Sequence, residues 1–390
     1  MLKTPLIKSG DTSFGLQYAI DRMRSNLHIA VVHGGNRLEE GAVIHPTRNP
    51  RSDKTYEGVA IDIADTLLRL GFENVELMPE DMRLGERLKK KSIDFVWLNT
   101  GGTQGYGSAC HACAMLELFG IPYLGHHPLN AALLDNKHAF KHMLDGMGFL
   151  TPKFVVCGVD ITTNTLKCTP AFEQVFSGHS GGFVVKPVSG RASLHVHFMS
   201  EPGQALATAK EISEKTGNLV MIEAFIPGDE YTIAVSGPVF SKNRQLYEGD
   251  TPFVFSPLKR LLAPEEFICT SMDIRPVSMS HLKVLDAKES PDLVNALGSI
   301  AKRIYAEFEL RTAVRIDLRA DHEGNIYVLE ANPKTDLKRP FEDKVCLVAA
   351  GLNLHGMDYD DLILSLIANR LHYLIKHRSD IIPHIMAMLK

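Results

Sequence analysis

Residues 312–332 of the chain read TAVRIDLRADHEGNIYVLEAN. This pattern predicts a strand over 314–318, a turn over 322–325 and a second strand over 326–332. Valine, isoleucine and leucine occupy most apolar positions of both strands, as is typical of a sheet that packs against a core. The stretch therefore predicts a buried antiparallel hairpin.

Four polar residues of this hairpin keep a common register. Alternate residues of a strand share a face, so symmetric pairing across a four-residue loop places Asp317 opposite Glu330 and Arg315 opposite Asn332. Two carboxylates that face each other across a strand pair repel, and a cation between them relieves the repulsion. Oxygens of Asp, Glu and Asn suit a hard divalent ion such as Mg²⁺. A solvent-facing hairpin with chance polar residues is the alternative, and the shared register disfavours it.

The composition indicates a globular protein of two or three domains, with 390 residues that are 45% hydrophobic and 23% charged. The net charge of −4 gives no reason to expect nucleic acid or an anionic membrane as a partner. No apolar run reaches the roughly 18 residues of a membrane helix. The first residues lack the apolar core of a signal peptide, so we expect a cytoplasmic location.

The six cysteines are scattered through the chain, which predicts reduced thiols and not a disulfide framework. Cys110 and Cys113 form the one tight cluster in the sequence. No second pair with zinc-site spacing accompanies them, so buried thiols on a helix are the favoured interpretation.

Strand and helix signals divide the chain into an N-terminal α/β domain (1–130), a central subdomain (131–226) and a C-terminal subdomain (227–390). The first region alternates strands and helices, as parallel sheets require. Its predicted elements are strands over 27–33, 75–77, 93–98 and 121–124 and helices over 57–70 and 109–119. Later elements are helices over 137–147 and 293–308, strands over 154–157, 181–187, 219–223 and 231–235, an irregular segment over 248–290 and helices after Tyr359.

Two loops of the first region are candidates for binding. Residues 36–56 predict a long loop over the strand ends, and such loops are uncommon unless they are functional. Residues 101–107 (GGTQGYG) follow a strand and precede a helix, as a dinucleotide fingerprint does. Their irregular spacing after a later strand disfavours a nicotinamide-dependent dehydrogenase. A loop for substrate or phosphate at a helix N-terminus fits better.

The central region supplies a second set of polar candidates. Lys186 ends an apolar strand, and a buried ammonium needs an anionic partner. Residues 187–193 then offer small side chains and backbone donors that could fold over phosphates. Residues 223–226 (EAFI) combine a carboxylate, backbone amides and an apolar plane, as an adenine ring requires, and Glu230 could bind ribose hydroxyls.

The order of these residues resembles the motif set of ATP-grasp enzymes, and within them the D-alanine–D-alanine ligase group. The resemblance covers roughly residues 27–376 and is most specific at LLDNK (133–137) and YVLEANP (327–333). It implies an ATP-grasp fold of the α/β class, with an N-terminal parallel α/β domain and two α+β subdomains that clasp the nucleotide.

The resemblance also implies ligands and partners. The residues implied to bind ATP are Lys137, Lys186, Glu223, Ala224, Phe225, Ile226 and Glu230. Those implied to bind two Mg²⁺ ions, with Mn²⁺ as an alternative, are Asp317, Glu330 and Asn332. The implied partners are a small-molecule carboxylate, a small-molecule amine and a second copy of the chain in a homodimer.

The resemblance also implies three catalytic residues, of which one matches the family directly and two only approximately. Arg315 would stabilise charge at the reacting centre. Ala192 stands where the family has a catalytic serine, and Ser193 next to it takes that role in our prediction. Arg275 roughly occupies the place of a basic residue for the γ-phosphate. The alternatives for that role are Lys259 and Lys283.

The chain departs from the family on the side of the amino-acid substrates. The insertion 36–56 stands where a glutamate would grip the ammonium of the first amino acid, and none of Glu39, Glu40 or Asp53 fits cleanly. Residues 333–339 (PKTDLKR) replace the usual Ser-Pro-Gly. Their three basic side chains are consistent with a more acidic acyl substrate or another carboxylate on the amine.

We therefore expect an ATP-dependent carboxylate–amine ligase that forms an amide through an acyl phosphate, with a substrate other than two D-alanines. A genuine D-alanine–D-alanine ligase is the first alternative. A non-catalytic ATP-binding protein is the second, and the intact residues of the hairpin argue against it.

Overall fold

Three large β-sheets and one two-stranded ribbon form the framework of the molecule. The computed structural model describes residues 12–35, 39–44, 56–105, 107–268 and 277–390. None of the helices in these ranges combines the length and the apolar character that crossing a membrane requires.

The first sheet is parallel, as the sequence predicts, with strand order β2-β1-β3-β4. Its strands are β1 (His28–His33), β2 (Asn74–Pro79), β3 (Phe95–Asn99) and β4 (Tyr123–Leu124). The accompanying helices are α1 (Thr12–Arg24), α2 (Glu57–Arg69), α3 (Leu84–Lys90) and α4 (His111–Phe119). The amide of Asn99, which ends β3, donates to the carbonyl of Tyr56 over 3.0 Å. This bond fixes the start of α2 at the carboxyl edge of the sheet, where open α/β sheets bind ligands.

The second sheet has the order β6-β5-β9-β7-β8 and is antiparallel. Its strands are β5 (Phe154–Asp160), β6 (Thr165–Thr169), β7 (Phe183–Pro187), β8 (His197–Met199) and β9 (Val220–Ala224). The neighbouring helices are α5 (Pro128–Asp135), α6 (Lys137–Gly146), α7 (Phe172–Val175) and α8 (Pro202–Thr216). A disulfide joins Cys157 and Cys168, which lie opposite each other on β5 and β6. The expectation of reduced thiols is wrong for this pair.

The third sheet surrounds β10 (Asp229–Ser236) in the order β15-β14-β10-β16-β17, with a further short strand beside β10. The next elements along the chain are β11 (Val239–Lys242), β12 (Gln245–Glu248), β13 (Phe253–Val254), β14 (Leu258–Arg260) and β15 (Leu282–Val284). After them come α9 (Pro291–Glu307), β16 (Val314–Ala320), β17 (Ile326–Asn332), α10 (Tyr359–His377) and α11 (Pro383–Met388). The described part of 248–290 thus contains three short strands where an irregular segment was predicted.

The predicted pairing of the hairpin β16–β17 is confirmed at its functional end. Asp317 lies opposite Glu330, and Arg315 lies opposite Asn332. Nearer the turn the prediction is off by one residue, because Leu318 pairs with Val328. Leu329 is the extra residue of a β-bulge that restores the register.

Hydrophobic packing ties the sheets together. Residues of β1, β3 and α2 share one core with α10. Apolar residues of α5 and α6 pack with the third sheet, although the sequence places these helices before the second sheet. Each large sheet lies within one of the ranges 1–130, 131–226 and 227–390. The exact boundaries of these ranges stay a prediction.

Candidate active site

One cavity of about 610 Å³ lies where the sheets meet, a volume suited to a small-molecule ligand. Its wall includes the start of α2, the loop after β7, the end of β9 and the inner face of the hairpin. The predicted site residues that line it are Lys137, Lys186, Ser193, Glu223, Ala224, Phe225, Ile226, Glu230, Arg315, Asp317, Glu330 and Asn332. Arg275 lies outside the described residues.

The middle of the cavity contains an acidic centre, which we define as Asp317, Glu330 and Asn332. Asp317 accepts hydrogen bonds from the hydroxyl of Thr232 (2.6 Å), from Arg315 Nη2 (3.0 Å) and from Asn332 Nδ2 (3.0 Å). Lys137 Nζ lies 3.3 Å from Glu330 Oε2. Donors from β10, β16, β17 and α6 therefore contact the two carboxylates.

The ionised form of Glu330 is strongly favoured. Burial opposes ionisation, but the ammonium groups of Lys137 and Lys186 and the guanidinium of Arg315 outweigh it and hold the pKa of Glu330 well below its usual range. Among the described residues, no three His, Cys, Asp or Glu side chains group around a common point. Two carboxylates and one amide oxygen match the way proteins hold Mg²⁺ when phosphates supply the other ligands.

A buried charge cluster, which we call the lysine–glutamate triad, lies behind the acidic centre. Lys186 Nζ is 2.5 Å from Glu223 Oε1, and Lys141 Nζ is 2.9 Å from Glu223 Oε2. Burial lowers the pKa of Lys141 to about 8. Burial alone would raise the pKa of Glu223, but the two ammonium groups lower it. Two cations share one carboxylate, so the triad carries a net positive charge into the wall of the cavity.

Lys141 is a residue that the sequence reasoning missed. Its side chain is fully buried, and it lies one helical turn after Lys137 on α6. Residues four apart on a helix share a face, so Lys141 could have been predicted to point the same way. A lysine on a helix is more often solvated, and only the contact with Glu223 distinguishes this one.

The end of the cavity beyond the triad, which we call the nucleotide end, combines polar edges with an apolar plane. The amides of Ala224 and Phe225 donate to carbonyls within the protein. The amide of Ile226 makes no such bond to a described residue. Arg319 pairs with Glu230 over 3.4 Å and lies 4.5 Å from the centre of the Phe225 ring.

A glycine is required just before β10, beside the nucleotide end. Gly228 has a φ of +127°, and a Cβ built on it would lie 2.1 Å from the carbonyl oxygen of Ala320. Its own carbonyl accepts a hydrogen bond from Arg319 over 3.2 Å. Close contact between the start of β10 and β16 therefore depends on the absence of a side chain.

The loop over 188–196 covers one side of the cavity and is anchored to α5. Ser189 and Arg191 both donate to the carboxylate of Asp135, over 2.9 and 3.0 Å. Ala192 and Ser193 have φ values of 59° and 54°, a conformation that residues with a Cβ adopt rarely. Such backbone strain concentrates at binding loops.

The opposite end, which we call the substrate end, includes the start of α2 and the residues after β17. Glu57, the first residue of α2, lines the cavity. Glu39 and Glu40 are exposed, and Asp53 lies outside the described residues. Glu57 was missed as a site residue because the insertion separates it from the first glycines. Its place at a predicted helix N-terminus was the available signal.

The three basic residues after Asn332 have different environments. Lys338 pairs with Asp62 on α2 over 2.8 Å, and Arg339 pairs with Asp360 on α10 over 3.2 Å. Both therefore join secondary structures instead of adding free charge, which corrects the prediction. Lys334 lies 3.7 Å from the centre of the Tyr56 ring. Burial lowers the pKa of Lys334 to about 8.

The predicted alternatives to Arg275 do not line the cavity. Lys259 pairs with Asp229 over 2.6 Å, and Lys283 is exposed on β15. Arg260, the residue after Lys259, lines the cavity instead. Alternation along a strand explains the difference, because neighbouring residues of β14 point to opposite faces.

Comparisons with known proteins agree with this geometry. The family model described as the D-ala D-ala ligase C-terminus matches residues 144–368. A D-alanine–D-alanine ligase of Pseudoalteromonas translucida is 25% identical over 88% of this chain and 97% of its own length. One from Carboxydothermus hydrogenoformans is 24% identical over 76% of this chain and 87% of its own.

Solved structures show the same fold. A D-alanine–D-alanine ligase from Bacillus anthracis complexed with ATP superposes with a TM-score of 0.63 at 19% identity, over 90% of this chain and 99% of that one. A D-Ala:D-Ser ligase from Enterococcus faecalis gives 0.61 at 18% identity, over 89% and 100%. With a family match over more than half of its residues, the chain belongs to the D-Ala–D-Ala ligase family and is an ATP-dependent ligase of the ATP-grasp fold that forms carbon–nitrogen bonds.

Proposed function

We propose that the protein joins a small carboxylic acid to an amine through an acyl phosphate, and that its substrates are not two D-alanines. The observation that carries the first part is the position of the acidic centre, which lies in one cavity with the nucleotide end and the substrate end. A phosphate bound by the acidic centre would thus be within reach of groups bound at either end.

The adenine ring would occupy the nucleotide end. The amide of Ile226, which makes no backbone hydrogen bond to a described residue, would donate to an adenine nitrogen, and Glu230 would accept from ribose hydroxyls. Ala224 and Phe225 would supply the apolar plane beside the ring. Each oxygen of Glu223 has a lone pair beyond the one its lysine uses, so its carboxylate could still accept from the adenine amino group.

The phosphates would then lie along the cationic wall. Lys137 and Lys186 line the cavity, Lys137 beside Glu330 of the acidic centre and Lys186 beside Glu223. Asp317, Glu330 and Asn332 would hold Mg²⁺, or Mn²⁺, together with phosphate oxygens. A divalent ion there supplies charge neutralisation between the γ-phosphate and an approaching carboxylate.

The reaction has two steps. A carboxylate oxygen attacks the γ-phosphorus, the bond from that phosphorus to the β,γ-bridging oxygen breaks, and ADP leaves. The amine nitrogen then attacks the acyl carbon, phosphate leaves, and the nitrogen loses a proton. Arg315 beside Asp317 is placed to stabilise the negative charge that both steps gather at the acidic centre. The anchored loop that includes Ser193 would exclude water, which would otherwise hydrolyse the acyl phosphate.

The substrate end supports the second part of the proposal. Glu57 would bind the ammonium of an amino-acid substrate, taking the role that Glu39, Glu40 and Asp53 do not fill. Residues after Asn332 that would be small and uncharged in the family are here Lys334 and Asp336, and both line the cavity. Charged groups on the wall favour charged groups on the substrate.

The test is release of ADP from Mg²⁺-ATP with a panel of D- and L-amino acids and small dicarboxylic acids. We expect turnover with at least one member other than D-alanine. Turnover with D-alanine alone, blocked by a D-cycloserine-like analogue, would instead establish the alternative that the names of the relatives support. Binding of ATP without turnover of any member would refute both functions.

A further inference from the structure

Lys334 differs from the other cations of the cavity. Six of the other seven lysine and arginine residues in the wall form an ion pair with a carboxylate of the protein; these are Lys137, Lys186, Arg191, Arg315, Arg319 and Lys338. The seventh, Arg260, also interacts with a protein group. Among the described residues, Lys334 has no ion pair or hydrogen bond; its ammonium lies over the face of Tyr56, and Asp336 attracts it at longer range. An ammonium has three N–H donors, and an aromatic face attracts the charge without using them as an acceptor oxygen does.

The position of this ammonium is well defined. Tyr56 is held by the bond from Asn99 to its carbonyl, and it directly precedes Glu57 at the start of α2. Lys334 comes two residues after Asn332 of the acidic centre. The ring contact thus joins the segment that follows the acidic centre to the start of α2, where the proposed ligand of a substrate ammonium lies.

The environment favours a carboxylate over a phosphate as the ligand. Asp336 also lines this end of the cavity and would repel a phosphate dianion more strongly than a single carboxylate. Lys137, Lys186 and Arg315 also line the cavity and would serve the phosphates. A partly buried ammonium without an acceptor gains most from a charged hydrogen-bond partner.

We propose, on the basis of the function proposed above, that Lys334 binds a second carboxylate of the acyl substrate, so that the acid activated by ATP is a dicarboxylic amino acid or a small dicarboxylic acid. Tyr56 fixes the ammonium, and Glu57 next to it selects for an amino group on the same substrate. Lys334 would thus determine specificity by binding the second carboxylate, whereas the reacting carboxylate would bind at the acidic centre.

The test isolates the acyl substrate by using hydroxylamine as the nucleophile, since hydroxylamine has no carboxylate. Hydroxamate formation from Mg²⁺-ATP is measured with matched pairs, D- or L-aspartate against D- or L-alanine and succinate against propionate. We expect the wild type to prefer the dicarboxylic member in kcat/KM. Lys334→Met should reduce that preference by roughly 10- to 100-fold, as for loss of a charged hydrogen bond.

Lys338→Met is the matched control, because Lys338 also lines the cavity but is neutralised by Asp62. It should retain the preference of the wild type. Lys334→Gln serves as a second variant, and retained ATP binding reports that either variant is folded.

Three outcomes would overturn the inference. A preference unchanged in Lys334→Met would exclude the contact. A KM for ATP that Lys334→Met raises with every acid would mean that the ammonium binds a phosphate of ATP instead. If Lys334→Met forms hydroxamate normally but has a raised KM for an amino-acid nucleophile, the ammonium binds the amine substrate instead. Absence of hydroxamate with every acid in the wild type would refute the proposed function itself, which is a distinguishable result.

Discussion

The two ends of the cavity use charge differently. In the lysine–glutamate triad and at the nucleotide end beside it, Lys141, Lys186 and Arg319 each contact a carboxylate of the protein. At the substrate end, the ammonium of Lys334 lies over the ring of Tyr56 and makes no ion pair with a described residue. Paired charges fix side chains in place before a ligand binds, whereas an ammonium without a protein acceptor is available for an acceptor on the ligand.

This difference explains why the two ends could not be inferred equally well. A site for one invariant nucleotide is defined by a fixed order of residues along the chain. A site for a variable substrate is defined by whichever side chains the local backbone presents. Substitutions can show whether the ion pairs of the triad and the nucleotide end stabilise the fold, and whether the substrate end selects the substrate.

The largest expected effect concerns the lysine–glutamate triad. Glu223→Gln leaves two buried ammonium groups without an anion, and should lower the free energy of unfolding by roughly 3–5 kcal/mol. Lys141→Met leaves the pair of Lys186 and Glu223 intact and should lower it by only about 1 kcal/mol. Urea unfolding of both variants gives the comparison. Equal losses would mean that the triad does not behave as two cations sharing one carboxylate.

The next effect concerns the acidic centre. Asp317→Asn removes a carboxylate from the proposed metal site and should reduce kcat by roughly 10²–10³-fold with the fold retained. Asp321→Asn is the control, since Asp321 lies in the turn of the same hairpin and bonds only within that turn region. ADP release is the measurement. Similar activity in the two variants would refute the assignment of Asp317.

A smaller effect is expected at the start of α2. Glu57→Gln weakens the proposed contact with a substrate ammonium and should raise the KM of an amino-acid substrate by about 10-fold, while the KM of ATP changes little. Steady-state kinetics with each substrate varied in turn separates the two. A KM for ATP that rises instead would place Glu57 with the nucleotide.

The smallest effect is a pH dependence of stability. The folded-state pKa of Lys141 is lowered to about 8 from an ordinary value of 10.5, so between these pH values the unfolded chain binds a proton that the folded chain does not. The contribution of Lys141 to stability therefore becomes more favourable as the pH rises above about 8, by at most about 1.4 kcal/mol per unit. Unfolding at pH 8 and 9.5 should show a stability difference between wild type and Lys141→Met that grows in favour of wild type. A difference that shrinks would contradict the direction of the shift.

Much of the fold and of the nucleotide end could be predicted from the sequence. The period of two in the hairpin sufficed to place Asp317 opposite Glu330, because one buried face fixes the register. The bulge at Leu329 could not be predicted from the sequence. Its one-residue shift cancels the one-residue shift of the pairing near the turn, so that Asp317 still lies opposite Glu330. The pair of Cys157 and Cys168 depends on the pairing of two strands, which their scattered positions do not indicate.

The substrate end depended on contacts between distant parts of the chain. Lys338 and Arg339 looked like free charges until their partners on α2 and α10 were known. Lys334 looked the same in sequence, yet it is the one beside Tyr56, 278 residues earlier in the chain. The three basic residues within 333–339 thus have two different roles, and only their neighbours in space distinguish them.

The central claim, transfer of the γ-phosphate to a carboxylate, can be tested by the fate of carboxylate oxygen. The acid that supports the fastest ADP release is labelled with ¹⁸O in its carboxylate, and the released phosphate is examined by mass spectrometry. An acyl phosphate predicts one ¹⁸O in each phosphate and ADP as the nucleotide product. Unlabelled phosphate, or AMP with pyrophosphate, would contradict it.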